Sequence, residues 1–154
     1  MTPRLHIDSV VICDDVRKEF NGKDMLIGVQ GTPLIFPAFP ANIKLGFWVQ
    51  FSALKLGSFT LEARLKTSRE AVLAHAQFNI NVDFLRQSAL WMLCDGIQVQ
   101  TAESMVLELK ESDRQWETIK VIPILLHAVA PKGVTPAPIA PKSEPILLHK
   151  RRAH

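Results

Sequence analysis

Cysteine is scarce in this chain. Its 154 residues hold only Cys13 and Cys94, too few for a disulfide framework. Neither has a CxxC partner or a neighbouring histidine, so zinc binding and thiol catalysis are not expected, and both side chains read as small buried hydrophobes. Cys13 falls in phase with Leu5, Ile7 and Val11, which places it on their face. Long apolar runs are missing as well: the longest, Val121 to Ala130, contains Pro123 and His127 and is far shorter than the roughly 20 residues that span a bilayer. Met1-Thr2-Pro3-Arg4 leads to Asp8 without an apolar stretch, so no secretory signal is expected. The five histidines show no ligand spacing, and GxSxG, a phosphate-binding glycine loop and a dinucleotide fingerprint are all absent. These absences point to a soluble, cytoplasmic protein with reduced thiols, no membrane partner, no cofactor, no metal and no enzymatic activity.

Charge is divided along the chain. Residues 1–130 carry 13 Lys or Arg against 14 Asp or Glu, whereas residues 131–154 carry five cations against Glu144 alone. The basic balance is therefore a property of the tail. A near-neutral body without a basic stripe argues against nucleic-acid binding. Apolar content of 47% and charged content of 21% are those of an ordinary globular domain.

Period-two alternation is clear. Ile43, Leu45, Phe47, Val49 and Phe51 alternate with mostly smaller or polar residues; Phe59, Leu61, Ala63 and Leu65 alternate with Thr60, Glu62, Arg64 and Lys66; Ala76, Phe78, Ile80 and Val82 alternate with Gln77, Asn79, Asn81 and Asp83. Successive strand side chains point to opposite faces, so each segment has one core face and one wet face, the antiparallel half-buried pattern. Phe47, Val49, Phe51, Leu61, Phe78, Ile80 and Val82 are the expected core. Further strands are expected at Leu5–Cys13, Lys23–Gln30, Leu90–Cys94, Gln98–Gln100, Met105–Lys110 and Glu117–Leu126, with turns at Asn21-Gly22, Leu56-Gly57-Ser58, Asp95-Gly96 and Ser112-Asp113-Arg114. Thr67-x-x-Glu70 matches a capping box, but an extended loop is the favoured reading there. Pro33, Pro37 and Pro40 make the stretch from Gly31 to Asn42 a long crossover and rule it out as a central strand. The fold class is all-β: a single antiparallel β-sandwich of about eight strands over residues 1–130, with a partly open barrel as the alternative, and an extended Pro-rich arm over 131–154.

Cys13-Asp14-Asp15-Val16-Arg17-Lys18-Glu19, then Gly22-Lys23 and Leu26-Ile27-Gly28-Val29, resembles the N-terminal signature of a family of small bacterial β-sandwich proteins described as a domain of unknown function. The resemblance rests on residues 5–30, leaves the tail outside, and implies a fold but no activity.

Few side chains stand out as candidates. Asp14, Asp15 and Glu19 form one acidic cluster, where a calcium site usually draws on two loops, so a solvated loop is the better reading. Trp48 is a large aromatic on an otherwise wet face, which suits either an interface anchor or a residue packed under the Pro-rich loop or the tail. Trp116 opens the last strand and is expected to cap the core. Pro123-Ile124-Leu125-Leu126-His127 recurs as Pro145-Ile146-Leu147-Leu148-His149, a match that composition alone produces in about one such sequence in a hundred. A tail carrying a copy of a strand segment is suited to a strand-like site. Ile146, Leu147, Leu148 and His149 are therefore the expected partner contacts, with Lys150, Arg151 and Arg152 meeting acidic groups and Trp48 as the candidate on the body. The resulting expectation is a non-enzymatic structural or interaction module that joins a larger assembly of protein partners, in concrete form a phage virion component. The alternative is a cytoplasmic bacterial accessory protein whose sandwich binds a small ligand or partner at one loop end.

Overall fold

The computed structural model describes residues 2–112 and 114–127. The arm, 131–154, lies outside them. The described residues form ten strands and no helix, so none is long and apolar enough to cross a membrane. The strands are β1 (Leu5–Cys13), β2 (Asp15–Lys18), β3 (Asp24–Ile27), β4 (Leu34–Phe36), β5 (Ala41–Ala53), β6 (Gly57–Thr67), β7 (Val72–Val82), β8 (Gln87–Val99), β9 (Ser104–Glu111) and β10 (Glu117–Leu126). They build a three-stranded sheet in the order β1-β5-β8, a five-stranded sheet in the order β4-β10-β9-β6-β7, and a small β2-β3 hairpin.

The two larger sheets pack face to face. Phe47, Val49, Leu90 and Met92 from one sheet join Leu61, Leu65, Leu107 and Ile122 from the other in a single buried cluster. The strand alternation puts them there, because each of these residues is separated from the next core residue of its strand by one outward-facing position. Burying a whole face against another sheet is the main source of stability in such an arrangement.

Four details differ from the sequence expectations. The crossover between residues 31 and 42 contains a short strand, β4, which pairs in parallel with β10 through Leu34↔Ile124, Ile35↔Leu125 and Phe36↔Leu126, so the sheets are not purely antiparallel. Leu90–Cys94 and Gln98–Gln100 are parts of one strand, because Asp95-Gly96 makes a bulge in β8 rather than a turn; Gly96 has φ of 68° and the register against β5 shifts there. Lys23–Gln30 contracts to β3. Trp116 precedes β10 on the outer face of the five-stranded sheet and does not cap the core. Thr67-x-x-Glu70 makes the β6–β7 hairpin turn: the Thr67 hydroxyl accepts the N–H groups of Arg69 and Ala71, and Glu70 carries φ of 67°.

A bulge in β1 between Ile7 and Ser9 changes the face on which Cys13 lies. Before it, Leu5 and Ile7 point inward; after it, Val10 and Ile12 do. Cys13 therefore sits on the outer face, yet it is fully buried because the β2–β3 hairpin folds over it together with Val16. Gly46 makes the close approach possible: a Cβ there would meet Cys13 Sγ and Leu93 Cδ2 at 3.0 Å.

Candidate protein-interaction surface

Three surfaces deserve comparison: the outer face of each sheet and the lateral edges. On the outer face of the five-stranded sheet, the charges are satisfied among themselves. Glu108, between Arg64 and Thr118 in register, accepts from Arg64 Nε at 2.6 Å and meets Lys66 Nζ at 3.0 Å. Burial opposes ionisation of Glu108, but the two cations hold its carboxyl below the usual range. Lys66 also pairs with Glu70 at 2.7 Å, and these partners push its ammonium upward. Glu62 receives Lys110 at 3.0 Å and His75 at 3.2 Å. The Trp116 ring lies under Arg64 at 4.1 Å and Lys110 at 5.3 Å, with the His75 ring edge-on at 6.2 Å.

The outer face of the three-stranded sheet carries an apolar row beside a polar group of Asp8, Ser9, Gln50, Ser52 and Gln87, and is partly covered. Val11, Trp48 and Trp91 stand side by side across β1, β5 and β8. The Trp48 indole N–H donates to Asp24 Oδ2 at 2.8 Å, and Asp24 Oδ1 meets the Lys18 ammonium at 2.7 Å. Burial disfavours the Asp24 anion, yet Lys18 and Trp48 hold its carboxyl below the usual range. Trp48 is thus half-buried under the β2–β3 hairpin rather than under the crossover. Trp91 and Leu93 remain more exposed, each 37% accessible.

The hairpin also accounts for the acidic cluster of the signature segment. Asp14 accepts from Gln30 Nε2 at 2.6 Å, Asp15 from Arg17 Nε at 3.0 Å, and Glu19 from Asn21 Nδ2 at 2.8 Å. Gly28, with φ of 64°, lies where a Cβ would collide with the Asp14 side chain. The carboxylates are spread over local partners, and among the described residues no group of three or more His, Cys, Asp or Glu is arranged to hold a metal. Cys94, inside the core, has its thiol pushed up to about 11 by burial, so it is a poor nucleophile at neutral pH. Burial, and next the Asp14 charge, also push Cys13 upward.

The edges are finished unequally. β4 lies at one edge of its sheet, and its Phe36 carbonyl accepts from His127 N–H at 2.7 Å, on the β10 side. Backbone groups alternate sides along a strand, so the positions facing outward are Pro33, Ile35 and Pro37, two of which lack an N–H. β1, on the same side, is covered at both ends: Gln30 N–H donates to the Ile12 carbonyl at 2.8 Å, and Glu111 accepts the Arg4 N–H at 3.1 Å. Among the described residues β8 has neither device. The Ala53 N–H donates to the Arg86 carbonyl at 3.1 Å, which sets the parity of the β5–β8 ladder. Ser88, Leu90, Met92 and Cys94 therefore bond β5, while the backbone groups of Gln87, Ala89, Trp91 and Leu93 face outward.

Below this edge the interior is less fully buried. Phe78 and Ile80, expected in the core, point inward from β7 and pack against the core cluster but are only partly buried, along with Ala74 and Ala76. The equivalent β6 residues Leu61, Ala63 and Leu65 are almost fully buried. Five strands facing three place β7 at the rim of the sandwich, where its inner face is less deeply buried than that of β6. A cavity of about 190 Å³ opens there among Phe51, Ala53, Ile80, Val82 and Phe84.

Of the residues expected to bind a partner, Trp48 is the one the structure describes. Ile146, Leu147, Leu148, His149, Lys150, Arg151 and Arg152 lie outside the described residues. The first copy of the repeat is described, as the end of β10: Ile124 is buried, while Leu125 and Leu126 are about half exposed. The open β8 edge and Phe20, fully exposed at the hairpin tip, were not anticipated; Asn21-Gly22 located the turn, but nothing in a single sequence says which strand ends a sheet. No family model and no curated protein matches this chain.

Proposed function

We propose that this protein is a non-enzymatic interaction module, a β-sandwich body with an extended Pro-rich arm over 131–154, that joins a larger protein assembly through the arm. The observation that carries the reading is the behaviour of the first copy of the repeat. Ile124-Leu125-Leu126 ends β10 and pairs in parallel with Leu34–Phe36 of the edge strand β4, with one isoleucine as its buried anchor. A second copy of the same residues on a separate segment is a ready-made strand for an unpaired edge, where main-chain bonds supply affinity and alternate side chains supply specificity. Partner contacts are assigned to Ile146, Leu147, Leu148 and His149, with Lys150, Arg151 and Arg152 at acidic groups and the Trp48–Trp91 row on the body.

Deleting residues 131–154 tests this. The body is expected to remain folded by circular dichroism and to lose assembly by light scattering. A truncated chain that assembles as well as the full one contradicts the proposal.

A further inference from the structure

We infer that the acceptor for the arm is the free edge of β8 on another copy of this chain, with Ile146-Leu147-Leu148 pairing as a fourth strand of the three-stranded sheet. The inference rests on the arm being a docking segment and adds where it docks.

Three observations select this edge. First, β8 offers an unbroken outward row of N–H and C=O groups at Gln87, Ala89, Trp91 and Leu93, while prolines blunt β4 and Gln30 and Glu111 cover the ends of β1. Second, a strand added beside β8 lies over β7, where Phe78 and Ile80 point inward and are only partly buried. Third, the chemistry of the arm suits both faces of that position. An ordinary edge strand alternates apolar with polar, but Ile146-Leu147-Leu148 is apolar at three successive positions. Ile146 and Leu148 enter the interior against Phe78 and Ile80, and Leu147 lies on the outer face beside Trp91 and Leu93, both partly exposed. Pro145 stands just before the pairing segment, where a missing donor costs nothing.

Reach is sufficient. The arm leaves β10 toward the opposite side of the five-stranded sheet, about 14 Å across three strand spacings from β7. Ala128 to Glu144 covers about 50 Å in polyproline geometry, enough to arrive at a neighbouring copy. Because exit and acceptor lie on opposite sides, each copy both gives an arm and receives one.

Amide hydrogen exchange on the full-length chain tests the acceptor, read beside its native mass. In the wild type, the N–H groups of Ala89 and Trp91 are expected to exchange at least 100-fold more slowly than in the double variant Ile146→Asp, Leu148→Asp. Rapid exchange in both proteins, or equal protection in both, overturns the β8 site. If the wild type is an arm-dependent oligomer while these amides stay unprotected, the arm docks elsewhere and only the acceptor assignment fails. If the wild type is monomeric with protected amides, the arm closes its own edge, and docking between copies is overturned. Ala89→Pro supplies the reciprocal test: it removes one outward donor without touching the β5 ladder, and a folded Ala89→Pro chain that assembles normally also overturns the inference.

Discussion

The two lateral sides of the body solve the same problem in opposite ways. On the β4 side, Pro33 and Pro37 take the positions that face solvent, and the neighbouring β1 is capped by Gln30 and Glu111. On the β8 side, four residues present backbone groups with no partner among the described residues, above a partly buried apolar floor. A closed edge prevents pairing with other chains; an open one invites it. Among the described residues, the contrast is between an edge blunted by proline and side-chain cover and an edge left open, the asymmetry on which the proposed arm docking rests.

The largest expected effect compares anchors on the two sides. Ile124→Ala, at the buried junction of β10 and β4, is expected to cost about 3 kcal/mol, and Ile80→Ala, at the open side, only about 1 kcal/mol in the arm-deleted body. Urea denaturation of both variants measures this, and equal losses contradict the claim that the inner face of β7 is less deeply buried than that of β10.

Proline scanning along β8 sharpens the contrast within a single strand. Ser88→Pro removes a donor to β5 and is expected to lower stability by about 2 kcal/mol, more than Ala89→Pro, whose N–H faces outward. Thermal melts that rank the two the other way round contradict the ladder parity.

Between the edges, the charge network predicts a pH effect. Arg64 and Lys66 depress the Glu108 carboxyl below its ordinary value of 4.5, so the stability it contributes is fully present above pH 4.5 and is lost as the pH falls through its folded pKa. Glu108→Gln is expected to cost about 2 kcal/mol at neutral pH and to make unfolding less sensitive to acid below pH 4.5. An unchanged acid limb in denaturation curves contradicts this.

The smallest effect lies on the covered outer face. Trp48→Phe keeps the aromatic contact but leaves Asp24 without the indole donor, at an expected cost of about 1 kcal/mol by chemical denaturation.

Much of this architecture was legible in the chain itself. The alternation in residues 43–51 and 59–66 marked β5 and β6 and their inward faces, because a period of two has one physical origin. Prolines 33, 37 and 40 correctly excluded a central strand, though β4 could still form at an edge. Cys13 was misplaced because a β-bulge at Ile7/Ser9 shifts the phase of a strand by one residue and leaves no mark in hydrophobicity. Phe78 and Ile80 carry the core pattern, yet their cover depends on how many strands the opposite sheet has. Trp116 was drawn out of its expected place by Arg64 and Lys110, a pairing across three strands. The repeat pointed to the arm, but the edge that suits it emerged only from the sheet order.

The most direct measurement is the native mass of the full chain beside that of the Ile146→Asp, Leu148→Asp variant. The account predicts a multiple of 17.2 kDa for the wild type and a 17.2 kDa monomer for the variant. The same mass for both proteins would contradict it.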